Sequence, residues 1–193
     1  MTPTGSLGDW SVRGIVGTMM PILVALSVLE MGSGYVLHEL ERTFLDRPTL
    51  LVLVPVMIAM GGNLGSVLSS RLSTRLHLGT LEFSPRDTTI LTNVVATLAL
   101  AATVFAALGV TAYGLTLIPV VSIGGGMTLR ETFTVSFVSG MALAVVAVVL
   151  SVSATYVSYR MGLDPDDTTI PVVTNLCDIL GVVILAVVAS LTL

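Results

Sequence analysis

Asp178 is the residue whose position most demands a chemical explanation. It falls near the middle of an apolar run, in PVVTNLCDILG, where a carboxylate costs at least about 2.5–3.5 kcal/mol on insertion scales. On a helix, Pro171, Thr174 and Gly181 lie seven, four and three residues from Asp178 and share its face. Asn175 borders that face. The set offers a carboxylate, a hydroxyl, an amide and two residues that free or expose backbone carbonyls. These are the oxygen ligands that a hard cation takes. The structural alternative is a buried ion pair or a protonated, hydrogen-bonded acid. Every arginine lies at or near a predicted helix end and the chain has no lysine, which favours a carboxylate lining an ion pathway.

A second constellation stands in PVMIAMGGNLGSVLSSRLSTRLHLG. Pro55 removes a donor from the helical ladder, and Gly61-Gly62 permits either unwinding or close helix approach. Asn63 follows with a neutral amide oxygen suited to an ion or its water shell. Taken alone, Gly61, Gly62 and Gly65 read as a packing seam with Asn63 bonded to a neighbouring helix. Paired with the breaker and carboxylate around Asp178, they read as the second of two interrupted helices converging on an ion.

Other polar groups are less telling. Glu30 lies in the outer half of the first apolar run, where it either lines an entrance or reaches the hydrated interface. Asp164, Asp166 and Asp167 most simply cap the helix that follows them, with a weaker role in gathering cations. Met19, Met20, Met31, Met57 and Met60 read as packing or lipid-facing residues. No Cys/His pairs occur at zinc spacing. Gly124–Gly126 lack a following Lys-Ser/Thr and read as a connector.

These groups need elements to position them, and composition says which. The 193 residues are 54% hydrophobic and 10% charged, against roughly 25% charged in a soluble domain. Five runs reach the roughly 20 apolar residues that span a bilayer: 14–37, 49–68 with a polar extension through Arg75, 88–112, 132–157 and 168–193. The expected fold is all-α, a polytopic membrane protein with five transmembrane helices. It comprises a cytoplasmic segment over 1–13 and a five-helix domain over 14–193. A charged connector covers 38–47. The apolar piece near Pro119 is too short to span and reads as a loop or re-entrant segment.

With the N-terminus inside, Arg13, Arg71, Arg75, Arg86 and Arg160 are cytoplasmic and Arg42, Arg47 and Arg130 are outside. That places the chain in the cell membrane with its C-terminus outside. The net charge of −4 excludes a polybasic nucleic-acid binder. The lone Cys177 supports no disulfide framework. Intramembrane aspartyl catalysis requires two facing acids, and only Asp178 with Glu30 could supply them. G-x-G-D, H-E-x-x-H and G-x-S-x-G strings are absent, so an enzyme is not expected. No duplicated half is visible, and dimerisation is the economical way to build a pathway.

Pro55, Gly62-Asn63, Gly65, Arg71 and Gly79 resemble the second-helix signature of the MgtE magnesium channels and their eukaryotic solute-carrier relatives. SSRLSTRLHLG is closest to the eukaryotic version. GLDPDDTTIPVVTNLCDILG resembles the fifth-helix signature, with Pro171, Thr174, Asp178 and Gly181 in matching positions. The resemblance implies Mg²⁺ as the transported ion, largely hydrated, and no organic cofactor. It also implies a homodimer, or a heterodimer with a homologous half, since some relatives fuse two five-helix repeats. Asp178 would be the principal acidic group at the ion, Asn63 would line the pore, and Thr174 would stand beside Asp178. The cytoplasmic sensor domains of bacterial members have no counterpart here, so gating by them is not expected. The reading is a divalent cation channel or transporter. The alternatives are an H⁺- or Na⁺-coupled exchanger and a non-conducting subunit that needs a homologous partner.

Overall fold

The apolar runs become helices because a bilayer leaves the backbone no other way to satisfy its polar groups. A computed structural model describes residues 12–81, 83, 88–118 and 127–193. In chain order the helices are α1 (Val12–Glu39), α2 (Glu41–Asp46), α3 (Pro48–His77), α4 (Thr88–Thr116), α5 (Leu129–Arg160) and α6 (Pro165–Thr192). Five of them, all but α2, are long and apolar enough to cross a membrane. They match the five expected spans, each extended by a few residues. Pro119 and Gly124–Gly126 fall outside the described residues.

Local chemistry sets the boundaries. Pro48 and Pro165 open α3 and α6 at positions where a missing N–H costs nothing. Asp164 caps α6 by accepting from the Asp166 N–H at 3.0 Å, as the acidic run led one to expect. Thr128 and Glu131 form a reciprocal capping box on α5. Two helices end on a left-handed glycine, Gly79 after α3 at φ 65° and Gly162 after α5 at φ 69°. In each case the N–H after the glycine returns to the helix, Thr80 to the Arg75 carbonyl and Leu163 to the Ser158 carbonyl, both at 2.9 Å.

One expectation needs correcting. Neither α3 nor α6 is interrupted: α3 runs through Pro55 and Gly61-Gly62, and α6 through Pro171. A proline deletes one ladder bond, whereas unwinding would strand several groups where no water can reach them. Continuing the helix is the cheaper course.

Helices α3, α5 and α6 form the inner layer. α4 packs on α5, and α1 lies outside, resting mainly on α6. Leu53, Met57, Phe105, Val135, Val182 and Leu185 fill the main core. Leu143, Ala147, Val173 and Cys177 form a second cluster at the three-helix junction. Glycine allows the closest approaches. Phe105 of α4 lies directly on Gly140 of α5, and Ser136 of α5 donates to the Phe105 carbonyl at 3.0 Å. The outer surface is apolar, with Val28, Met31, Leu91, Val149 and Leu191 all exposed. Lipid is the environment such a surface requires.

Candidate functional site

The glycines of α3 determine how closely the inner helices meet. A β-carbon on Gly61 would stand 2.6 Å from Leu143 Cδ2 of α5, and one on Gly65 would stand 2.5 Å from Val173 Cγ1 of α6. Both distances are shorter than carbon atoms tolerate, so glycine at these positions lets α3 seat against α5 and α6 without displacing those side chains. On this evidence Gly61, Gly62 and Gly65 form the packing seam, and the unwinding alternative is set aside.

Gly62 points the seam at the acidic face. A β-carbon there would lie 2.9 Å from Thr174 Cγ2 and 3.3 Å from Asp178 Oδ1. Asp178 and Thr174 are half-buried, one turn apart on the face of α6 that meets α3. Asp178 lies thirteen residues after Pro165 and fourteen before Thr192, at the middle of its span. Gly181, one turn further on, is buried where α6 crosses α3; its β-carbon position lies 3.7 Å from the Met57 carbonyl oxygen. Asn175 is half-buried and its Nδ2 donates to the Pro171 carbonyl at 2.9 Å. That bond engages the amide donor and leaves the amide oxygen as an acceptor.

Asn63, next to Gly62, is exposed. It lies on an outward stripe of α3 that also carries Pro55, Ala59, Ser70 and Thr74, all exposed. The stripe carries the exposed Val67 one turn past Asn63 and turns polar towards the Arg71–Arg75 end. The structure thus brings Gly62, Thr174 and Asp178 together and sets Asn63 on the adjoining surface. Pro55 and Pro171 lie along the same two helices, away from the crossing.

Sequence reasoning missed a polar feature at the junction of α3, α5 and α6. Ser151 of α5 donates to the Gly65 carbonyl at 2.9 Å, and Ser158 lies 2.9 Å from Thr168 and 3.2 Å from Thr169. Between these bonds Ser69, Ser73 and Thr155 are buried, and their hydroxyls have no partner among the described residues. Elsewhere hydroxyls bond back to their own helix, as Thr97 does to the Asn93 carbonyl at 2.9 Å. The signal was present in the spacing of Ser69 and Ser73, and of Ser151, Thr155 and Ser158, each set on one helical face.

At the end of this seam His77 of α3 lies 3.8 Å from Asp164 at the start of α6. Ligand atoms of His77, Asp164 and Asp166 lie within 4.8 Å of one another, all exposed. Asp164 already serves as the helix cap, which accounts for its placement.

Comparison with known proteins adds a family. The family described as MgtE, divalent cation transporter, matches residues 54–188. The chain is 25% identical over 204 residues to solute carrier family 41 member 3 of Rattus norvegicus, covering 98% of this chain and 41% of that protein. It is 26% identical over 173 residues to solute carrier family 41 member 3 of Mus musculus, covering 82% and 33%. The chain therefore spans less than half the length of these relatives. The matched segment contains α4, α5 and nearly all of α3 and α6, including every residue of the crossing just described.

Proposed function

The chain belongs to the MgtE family of divalent cation transporters, and from that premise we propose that it conducts Mg²⁺ through a pathway lined by α3 and α6. The observation that carries this reading is the placement of Asp178. It is a carboxylate at the midpoint of a span, only half-buried, set against a glycine of the neighbouring helix. A charge at that depth faces a cavity or a partner far more readily than lipid. Thr174 and the Asn175 amide oxygen add neutral acceptors on α6, and Asn63 adds one on the adjoining face of α3. Mg²⁺ gives up water reluctantly and is typically bound by one or two carboxylates through a partly retained shell. A single acid ringed by neutral oxygens suits such an ion.

The exposed stripe of α3 around Asn63 mixes small and polar residues with Val67, and its small residues, Ala59 among them, permit close helix approach. A second copy of this chain, or a homologous half, placed there would add a second Asp178 to the pathway. In this reading the N-terminus is cytoplasmic and the C-terminus outside, in the cell membrane. Flux runs down the electrochemical gradient.

Purified protein in liposomes loaded with a Mg²⁺-sensitive dye tests the proposal. Wild-type protein is expected to admit Mg²⁺ and Asp178→Asn to abolish the flux. Equal flux through both would remove the central residue of the argument.

A further inference from the structure

Helix α1 brings a second acid to the same level of the membrane. The C-terminal part of α1 and that of α6 lie side by side, where Tyr35 and Glu39 line one groove with Val183 and Val187. The two helices therefore run parallel. Five residues back from Tyr35 is Glu30, and five residues back from Val183 is Asp178. Equal steps along parallel helices keep level, so the two carboxylates lie within about one helical turn of each other in depth. α1 rests on α6, so the two acids stand on adjacent helices.

Glu30 is half-buried, but its Oε2 is fully buried and has no hydrogen-bond partner among the described residues. A carboxylate oxygen withdrawn from water without a donor is costly, and a like charge nearby makes it costlier. No lysine exists to offset it, and α1 carries a single arginine, Arg13, near its opposite end. A divalent cation between the two acids relieves both costs together.

We propose that Glu30 is a further specificity-determining residue of the transport pathway: it is the second carboxylate facing the ion at Asp178, and it tunes the site to doubly charged cations. The inference rests on Asp178 being the ion-binding acid. It extends that site to α1, which lies wholly outside the segment matched by the family. Asp178 then stands between Gly62 on one side and Glu30 on the other, and one protomer presents two negative charges to the ion. Two carboxylates balance a divalent ion and leave a monovalent one overmatched, so the pair discriminates by charge.

The test is flux through wild type, Glu30→Gln and Asp178→Asn in liposomes, across a range of Mg²⁺ concentrations and with K⁺ as competitor. Glu30→Gln is expected to raise half-saturating Mg²⁺ about tenfold, the effect of some 1.4 kcal/mol of lost binding, and to let K⁺ compete. Wild-type concentration dependence and selectivity in Glu30→Gln, with Asp178→Asn inactive, would overturn the inference and leave the Asp178 reading standing. Wild-type flux in Asp178→Asn would remove that reading itself. If Glu30→Gln does not fold, Glu30→Asp serves in its place. It keeps the charge but shortens the reach by one methylene, so the same shift in half-saturating Mg²⁺ is expected, and no shift would overturn the proposal.

Discussion

Gly62 and Asp178 meet across the α3–α6 crossing so closely that a β-carbon on the glycine would stand 3.3 Å from the carboxylate oxygen. The acid is thus placed by a residue without a side chain on a neighbouring helix. Gly62→Ala would press on Thr174 at 2.9 Å as well, and overpacking of this kind costs about 1–3 kcal/mol. We expect a lower Tm in detergent and reduced Mg²⁺ flux. Gly181→Ala, whose β-carbon would meet nothing nearer than 3.3 Å, should be milder in both. Equal tolerance of the two alanines would show that the crossing is looser than described.

Mg²⁺ itself should stabilise the fold. At a concentration one hundred times its dissociation constant, a ligand of the folded state adds about 2.7 kcal/mol. The wild-type Tm is therefore expected to rise with added Mg²⁺ and fall when EDTA removes it. Asp178→Asn should show no such dependence. A Tm that ignores Mg²⁺ in the wild type would argue against an ion site in the folded protein.

Asn63 separates function from stability. It is exposed, and a surface substitution typically changes stability by no more than about 0.5 kcal/mol. Asn63→Leu should melt like wild type and carry less Mg²⁺. Flux equal to wild type would take Asn63 out of the pathway.

The hydroxyls of the three-helix junction should respond in opposite directions. Ser151→Ala loses the bond to the Gly65 carbonyl and should cost about 0.5–1.5 kcal/mol. Thr155→Val keeps the shape and removes a hydroxyl that has no partner among the described residues, so it should be neutral or stabilising. Thermal melts of the two variants decide this, and a destabilised Thr155→Val would reveal a partner for that hydroxyl.

The five spans were legible because hydropathy over some twenty residues is a property of the local chain. So was the Asp164 cap, which depends on neighbours two residues away. The α2 helix escaped because six residues in a charged connector carry no periodic signal. The consequence of Pro55 and Gly61-Gly62 was misjudged for another reason. A breaker's effect depends on what else can satisfy the freed groups, and in lipid nothing can. The face of α6 carrying Thr174 and Asp178 was readable from spacing, but its contact with Gly62 was not, because no local pattern names a partner 116 residues away. The similarity to the eukaryotic-type sequence was also legible, and the rat and mouse relatives agree with it.

The position of α1 has a consequence for biogenesis. α1 rests mainly on α6, so this span has its main docking partner in a helix that is made much later. Until some 140 further residues have been synthesised, α1 waits in lipid with Glu30 unaccompanied. Arrival of α6 supplies the packing surface and brings Glu30 and Asp178 level in the same step. Assembly of the acid pair is thus a late event in folding, and a chain stalled before it would be inserted in the membrane yet have no pair to offer an ion.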